Sequence, residues 1–276
     1  MKNEMTLEVA QHPVSLVLSD PVFFGDIAKS YGGFLSDRDP KATIEVHIVD
    51  DIPRGKSNGA RVTFTNRGME VSHASFCGSV DLVKGWGELY TVPEELAFSL
   101  KIVLRYLFTC LHLREGNGLA LHALGVIKEG EAYAFFGPSG SGKTTAAGLS
   151  AAHTILSDDL VFLQYSEGSH WVHPTPTWGD MQRGKRENRP YPLKAIFKLI
   201  KAAEITIRRT YHAKALADVI TLPHLPKDFN QPDILLSGFL RLVREVPYYE
   251  LRFTKGRSFW PCIDENLRKI GTENAK

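Results

Sequence analysis

Eight consecutive residues carry the clearest chemistry in this sequence: Gly137-Pro138-Ser139-Gly140-Ser141-Gly142-Lys143-Thr144, a complete G-x-x-x-x-G-K-[ST] pattern. Glycines at these spacings let successive backbone N–H groups turn inward around a phosphate chain. Lys143 can reach the β and γ phosphates, and the Thr144 hydroxyl can ligate magnesium. The pattern predicts binding of ATP or GTP through Gly137, Ser139, Gly140, Ser141, Gly142, Lys143, Thr144 and Thr145. The bland alternative is a glycine-rich turn that only caps a strand. It is disfavoured by the flanks, an apolar run Ala132 to Phe136 before the loop and a helix-compatible Thr145 to Ala152 after it.

The second feature is a carboxylate pair, Asp158-Asp159, set in the strand-forming stretch Ile155 to Phe162. A helix of about ten residues and a return strand bring the chain back beside the loop at this point. A regular strand would point the two acids to opposite faces. At a strand end or bulge both can converge, one holding magnesium and the other taking a proton from an attacking hydroxyl. Asp50-Asp51 has a similar local sequence but no phosphate loop near it, and reads as an exposed acidic turn.

The third candidate is His122, which depends on a hairpin. The apolar runs Leu119 to Ile127 and Ala132 to Phe136 flank Lys128-Glu129-Gly130-Glu131. A two-residue turn at Glu129-Gly130 pairs Lys128 with Glu131 and sets His122 opposite Gly137. There the histidine would contact the γ phosphate or tune a carboxylate. The competing reading is a hydrogen-bonded core histidine.

Other elements must position these residues. Residues 6 to 90 alternate in short runs, Val14 to Leu18, Thr43 to Val49, Ala60 to Phe64, Met69 to Ser72 and Val80 to Val83, punctuated by turn formers, and so predict a β-rich N-terminal region. Thr91-Val92-Pro93-Glu94 predicts a capped helix start, and Gly116-Asn117-Gly118 its stop. Downstream, Lys194 to Ala203, Thr210 to Leu222, Pro232 to Arg244 and Ser258 to Ile270 read as helical or mixed, with a strand at Tyr248 to Phe253. The expected division is 1–92, β-rich, and 93–276, a nucleotide-binding core with a C-terminal α/β extension. The fold class is α/β, or mixed α+β.

The order His122, then Gly137 to Thr144, then Asp158-Asp159-Leu160-Val161 resembles the nucleotide-binding core of HPr kinase and its relatives in the phosphoenolpyruvate-carboxykinase-like group. The likeness covers roughly residues 110 to 165 and extends faintly to Pro174–Asp180 and Val246–Phe253. It implies a mixed sheet around a central phosphate-loop helix. It also implies Asp158 as the catalytic carboxylate, Asp159 with Thr144 as the magnesium ligands, and His122 as the active-site histidine, beside Lys143. The glycine-rich E-[IV]-R-G-x-G segment of true HPr kinases is missing, so the chain resembles the HPr-kinase-related proteins more than the regulator itself. It is too short for a phosphoenolpyruvate carboxykinase. Leu235-Leu236-Ser237-Gly238-Phe239 is only a fragment of an ABC-ATPase signature.

Composition bounds the partners. The 276 residues carry 33 basic and 31 acidic side chains, a formal charge of +2, which gives no reason to expect nucleic acid or a membrane as partner. The longest apolar stretch, Leu96 to Leu113, is interrupted by Lys101, Arg105 and His112 and reads as a buried helix. The N-terminus lacks the uninterrupted apolar core of a secretory signal. Cys77, Cys110 and Cys262 are scattered, odd in number and without a C-x-x-C pair, as expected of reduced cytoplasmic thiols. A basic stretch over residues 183 to 214, from Arg183, Lys185, Arg186 and Arg189 to Lys214, has an excess of eight positive charges. It offers arginines for a transferred phosphoryl group, or a solvated or docking face. Trp178 in the Pro-rich loop His173–Asp180 could pack on a base or a peptide.

Together these features predict an ATP- and Mg2+-dependent kinase that transfers the γ phosphate to a hydroxyl acceptor, a protein serine or a small molecule. The alternative is a non-catalytic ATP-sensing regulatory or scaffold protein. Either reading leaves room for a homo-oligomer.

Overall fold

The computed structural model describes residues 3–52, 59–177, 188–221 and 232–273. Short runs in the first ninety positions, alternating between buried and outward residues in most strands, build a seven-stranded sheet. Its strands are β1 (Glu4–Val9), β2 (His12–Leu18), β3 (Ala42–Ile48), β4 (Arg61–Phe64), β5 (Gly68–Ser72), β6 (Phe76–Asp81) and β7 (Trp86–Thr91), in the order β1-β2-β3-β7-β6-β5-β4. A short helix, α1 (Phe24–Ser30), lies between β2 and β3. Leu7, Leu16, Ile44, Val46, Val80 and Leu89 point to one face and are buried there.

That face is covered by α2 (Leu96–Arg114), whose Leu96, Leu100, Val103, Leu104, Leu107 and Phe108 recur at helical spacing and join the same core. Ala120, Leu160 and Phe162 of the following region enter this core too, so α2 is shared between the two halves of the chain. Among the described residues it is the one helix long and apolar enough to cross a bilayer, and most of it is buried in the protein. The expected capping box at its start is not formed. Thr91 ends β7, where its backbone is held in the ladder against Phe76 and accepts from Val49 N, and a 3-10 turn at Pro93–Glu95 leads into the helix instead.

The second sheet has nine strands: β8 (Gly118–Leu121), β9 (Leu124–Lys128), β10 (Glu131–Phe136), β11 (Thr154–Ser157), β12 (Val161–Ser166), β13 (Ser169–His173), β14 (Tyr191–Lys201), β15 (Thr206–Arg209) and β16 (Tyr248–Phe253). Their order is β11-β9-β10-β14-β13-β12-β8, with β16 parallel to the end of β14 and β15 on the outside of β16. Helices cover both faces. Phe135, Phe197 and Tyr249 pack with α3 (Lys143–Leu149) and α6 (Trp260–Glu273) on one side. Ala134, Ile196 and Tyr248 pack with α4 (His212–Val219) and α5 (Pro232–Glu245) on the other. The fold is mixed α+β.

β14 corrects the expectation of helical or mixed structure at Lys194 to Ala203. It is a central strand, parallel to both β10 and β16 and buried on two faces, so its apolar residues run together without the alternation that marks a strand. The hairpin register is as expected: Lys128 pairs with Glu131 and Leu124 with Phe135, and the turn residues Glu129 and Gly130 both have positive φ, 55° and 81°. The run Leu119 to Ile127, however, is two strands, β8 and β9, broken at His122-Ala123. The three cysteines are free thiols.

Three fully buried histidines meet where α2 joins the two sheets: His12 at the start of β2, His112 on α2 and His173 at the end of β13. The His12 and His112 rings lie 5.7 Å apart, and those of His112 and His173 6.4 Å apart. Nε2 of His112 donates to the Leu163 carbonyl at 2.8 Å, and Nδ1 of His12 accepts from the Lys41 ammonium at 3.0 Å. The other nitrogens of those two rings, and Nε2 of His173, have no hydrogen-bond partner among the described residues. Burial, with a smaller contribution from neighbouring positive charge at His12, pushes the pKa down to about 3 for His12 and His112 and about 4 for His173.

Candidate functional site

The segment between β10 and α3 is a tight glycine loop. Gly140 and Gly142 have φ of 78° and 105°, in the left-handed region where a side chain is strained. Space is restricted as well. A Cβ at Gly137 would lie 2.5 Å from Ser141 Oγ, and one at Gly142 would lie 2.7 Å from the Phe253 ring. Lys143 folds back across the loop and donates to the Gly137 carbonyl at 2.9 Å. Its pKa is lowered by desolvation, an effect opposed by the charge of Asp159.

The aspartates sit in the turn that carries the chain from β11 to β12. β11 shifts register against β9 between Ile155 and Ser157, and the pairing then continues in phase across the turn, Ser157 with Gly125 and Val161 with Leu121. Both chains therefore break at the same level, His122-Ala123 on one and Asp158–Leu160 on the other. Ser157 Oγ shapes the turn by accepting from the backbone N–H groups of Asp159, 3.3 Å, and Leu160, 3.2 Å. Behind it, Thr175 Oγ1 donates to the Leu160 carbonyl at 2.7 Å, and Ser157 Oγ donates to that of Thr177 at 3.4 Å.

Asp159 is held from two sides. Arg105, reaching down from α2, donates to both its oxygens, at 2.8 and 3.3 Å, and His122 Nδ1 stands 3.2 Å from Oδ1. Burial alone would raise this carboxyl, but the His122 hydrogen bond and the Arg105 charge outweigh it and hold the pKa at about 2. Asp158 is buried at the cleft wall. The His122 side chain is 41% exposed and faces the cleft, so the packed-core reading of this histidine does not describe its setting.

These groups line one cleft of about 400 Å³: His122, Ser139, Gly140, Gly142, Lys143, Thr144, Thr145, Asp158 and Asp159, with Lys201 from the end of β14 and Lys255 after β16. Gly137 and Ser141 form the base of the loop. The cations Lys143, Lys201 and Lys255 converge where a polyanion would lie. Thr144, Asp158 and Asp159 bring hydroxyl and carboxylate oxygens to the same cleft, the donor type that magnesium takes. Ser141 Oγ, shielded from solvent and without a hydrogen-bond partner among the described residues, fits a loop that receives a ligand oxygen.

Sequence reasoning did not find Arg105, which lies 54 residues from its partner and read only as an interruption in an apolar helix. Nor did it find the buttress from Thr175 and Thr177. Lys201 was one of ten basic residues in a stretch with nothing to single it out. Of that stretch, Arg183, Lys185 and Arg186 lie outside the described residues, as do Trp178 to Asp180 of the proline-rich loop.

A family model described as SynChlorMet cassette protein ScmC matches residues 91–223, just under half of the chain. That span contains α2, the glycine loop and the aspartate turn. No curated protein matches the sequence. Among solved structures, the chain is similar to one described as the HPr(Ser) kinase/phosphatase from Coxiella burnetii, at 9% identity and a TM-score of 0.33, covering 57% of this chain and 99% of that one.

Proposed function

We propose that the protein binds ATP with magnesium in the 137–144 cleft and transfers the γ phosphate to a hydroxyl. The observation that carries this reading is convergence: residues of a complete phosphate-loop sequence and a separate histidine and aspartate pair, 14 to 22 residues from the loop in the chain, line the same cleft. The loop amides and Lys143 would hold the β and γ phosphates, aided by Lys201 and Lys255. Thr144 and Asp159 would hold magnesium, whose chemistry is to neutralise charge on the phosphate oxygens. Asp158 would accept the proton of the attacking hydroxyl as its oxygen bonds to phosphorus and the bond to the β-phosphate oxygen breaks. His122 and Arg105 would keep Asp159 ionised and oriented.

The order of these residues supports membership of the HPr-kinase-like group, with the loop helix α3 as its phosphate-loop helix; the free thiols of Cys77, Cys110 and Cys262 fit a reducing, cytoplasmic setting. The hold of Arg105 and His122 on Asp159 favours a second reading, a nucleotide sensor in which that acid is structural. Incubation with γ-labelled ATP and a cell lysate separates the two. Label should pass to an acceptor with the wild type and not with Asp158→Asn; ATP binding with no labelled acceptor would favour the sensor.

A further inference from the structure

On the face of the first sheet turned away from α2, Glu45, His47 and Glu88 each bring one ligand atom to within 4.8 Å of the others. β3 and β7 are parallel neighbours, with Glu45 directly beside Glu88 and His47 beside Tyr90. Paired like charges on adjacent strands repel each other. Among the described residues their only ion-pair partner is His47, whose Nε2 stands 3.8 Å from Glu45 and 3.9 Å from Glu88. Those separations are too long for hydrogen bonds.

The histidine is nevertheless held in place. Its ring stacks on Tyr90 with centroids 4.6 Å apart and planes 18° apart, and Nε2 is shielded from solvent with no hydrogen-bond partner among the described residues. Glu45 and Glu88 keep part of their hydration, and Tyr90 hydrogen-bonds to Glu88, but a shielded imidazole nitrogen without a partner between two adjacent carboxylates is costly. A shared cation removes both costs. Ligand atoms about 2.1 Å from a tetrahedral ion lie about 3.4 Å apart, so only a small inward movement of these side chains is needed.

We propose that Glu45, His47 and Glu88 bind a divalent transition-metal ion of the zinc type, at a site separate from the nucleotide cleft. One imidazole nitrogen with two carboxylate oxygens suits a borderline ion such as Zn2+ better than Mg2+, which favours oxygen ligands alone. The ligands come from two central strands locked in register, which is the rigidity such a site requires. Three protein ligands leave a coordination position open. Glu88 also lines a cleft of about 520 Å³ with Arg61, Glu70, Cys77 and Tyr90, through which water or a small anion would reach that position.

The test is calorimetric titration of chelator-stripped full-length protein with ZnCl2, with the visible absorption of added Co2+ read in parallel. The wild type should bind one equivalent at this site, and excess Mg2+ should not displace it. His47→Ala and Glu88→Gln should each weaken zinc binding by about 10²-fold or more, and His47→Ala should remove the Co2+ band. His212→Ala, at an exposed histidine elsewhere, should change neither. Melting curves of the metal-free variants check that they fold. If the wild type takes up no zinc, or the folded His47→Ala and Glu88→Gln variants bind as tightly as the wild type, the proposal is overturned.

Discussion

Lowering the pH from 7.5 to 5 should cost this fold about 6 kcal/mol through His12, His112 and His173 alone, as worked from the linkage between protonation and folding. Their folded-state pKa values, about 3, 3 and 4, lie below pH 5, so all three stay neutral in the native protein throughout this range. In the unfolded chain each returns to about 6.5 and is protonated at pH 5, a gain of about 2 kcal/mol per histidine for the unfolded state. The contributions add because the three sites titrate independently once the chain is unfolded.

The sign follows: the folded pKa values are depressed, so the stability is fully present above pH 6.5 and is lost as the pH falls toward 3 to 4. Domains are typically stable by about 5–15 kcal/mol, so a loss of this size opens the junction of α2 with the two sheets or unfolds the protein. Lys41 and Arg38 near His12 act in the same direction, and Glu115 near His112 and His173 opposes them. The assay is urea unfolding at pH 7.5, 6 and 5, followed by tryptophan fluorescence. Well below pH 6.5 the stability should fall by about 4 kcal/mol per pH unit, and His112→Gln should reduce that slope by about 1.4. A stability that does not change between pH 7.5 and 5, or a slope unaltered in the variant, would refute the reasoning. Asp159 acts in a different window: its folded pKa of about 2 gives stability that is present above about 4 and lost as the pH falls through 2.

Asp158→Asn should retain magnesium–ATP binding and lose phosphoryl transfer. Asp159→Asn should weaken the magnesium dependence of binding and, by leaving Arg105 without its bidentate partner, cost about 2 to 4 kcal/mol in urea unfolding. Equal loss of binding in the two variants would argue against this division. His122→Ala should leave ATP affinity nearly intact and slow transfer by about 10² or more; a large fall in melting temperature with unchanged turnover by the folded fraction would sink its catalytic assignment. Gly142→Ala adds a Cβ 2.7 Å from the Phe253 ring at a φ of 105°. It should destabilise the protein by about 1–3 kcal/mol and abolish nucleotide binding, and an unperturbed variant would contradict the tight geometry of the loop.

What could be read from the sequence was what local rules determine. The glycine loop follows from a fixed spacing, and the Glu129-Gly130 turn sets the hairpin register from Lys128–Glu131 to Leu124–Phe135; the ladder stops there, so the expected pairing of His122 with Gly137 does not form, and His122 reaches the cleft from the break between β8 and β9. Alternation and β-branched runs located five of the seven strands of the first sheet; β1 and β7 were not among the marked runs. Long-range pairing was not legible. β14 lost its strand signature because it is buried on both faces, and the break at His122-Ala123 is set by its partner chain, which turns at Asp158–Leu160. Arg105 lies on an apolar helix, and only the packing of α2 between the sheets brings it to Asp159. The Glu45–His47–Glu88 cluster likewise depends on β3 and β7 being neighbours despite the three strands that separate them in sequence.

Calorimetric titration with ATP in the presence of magnesium tests most directly whether the 137–144 loop is a phosphate cradle. One saturable site per chain is expected, with affinity falling about tenfold or more in Lys143→Ala, because that change removes the side-chain charge the loop itself places on the β and γ phosphates. No saturable binding by the folded wild type, or equal affinity in wild type and Lys143→Ala, would contradict it.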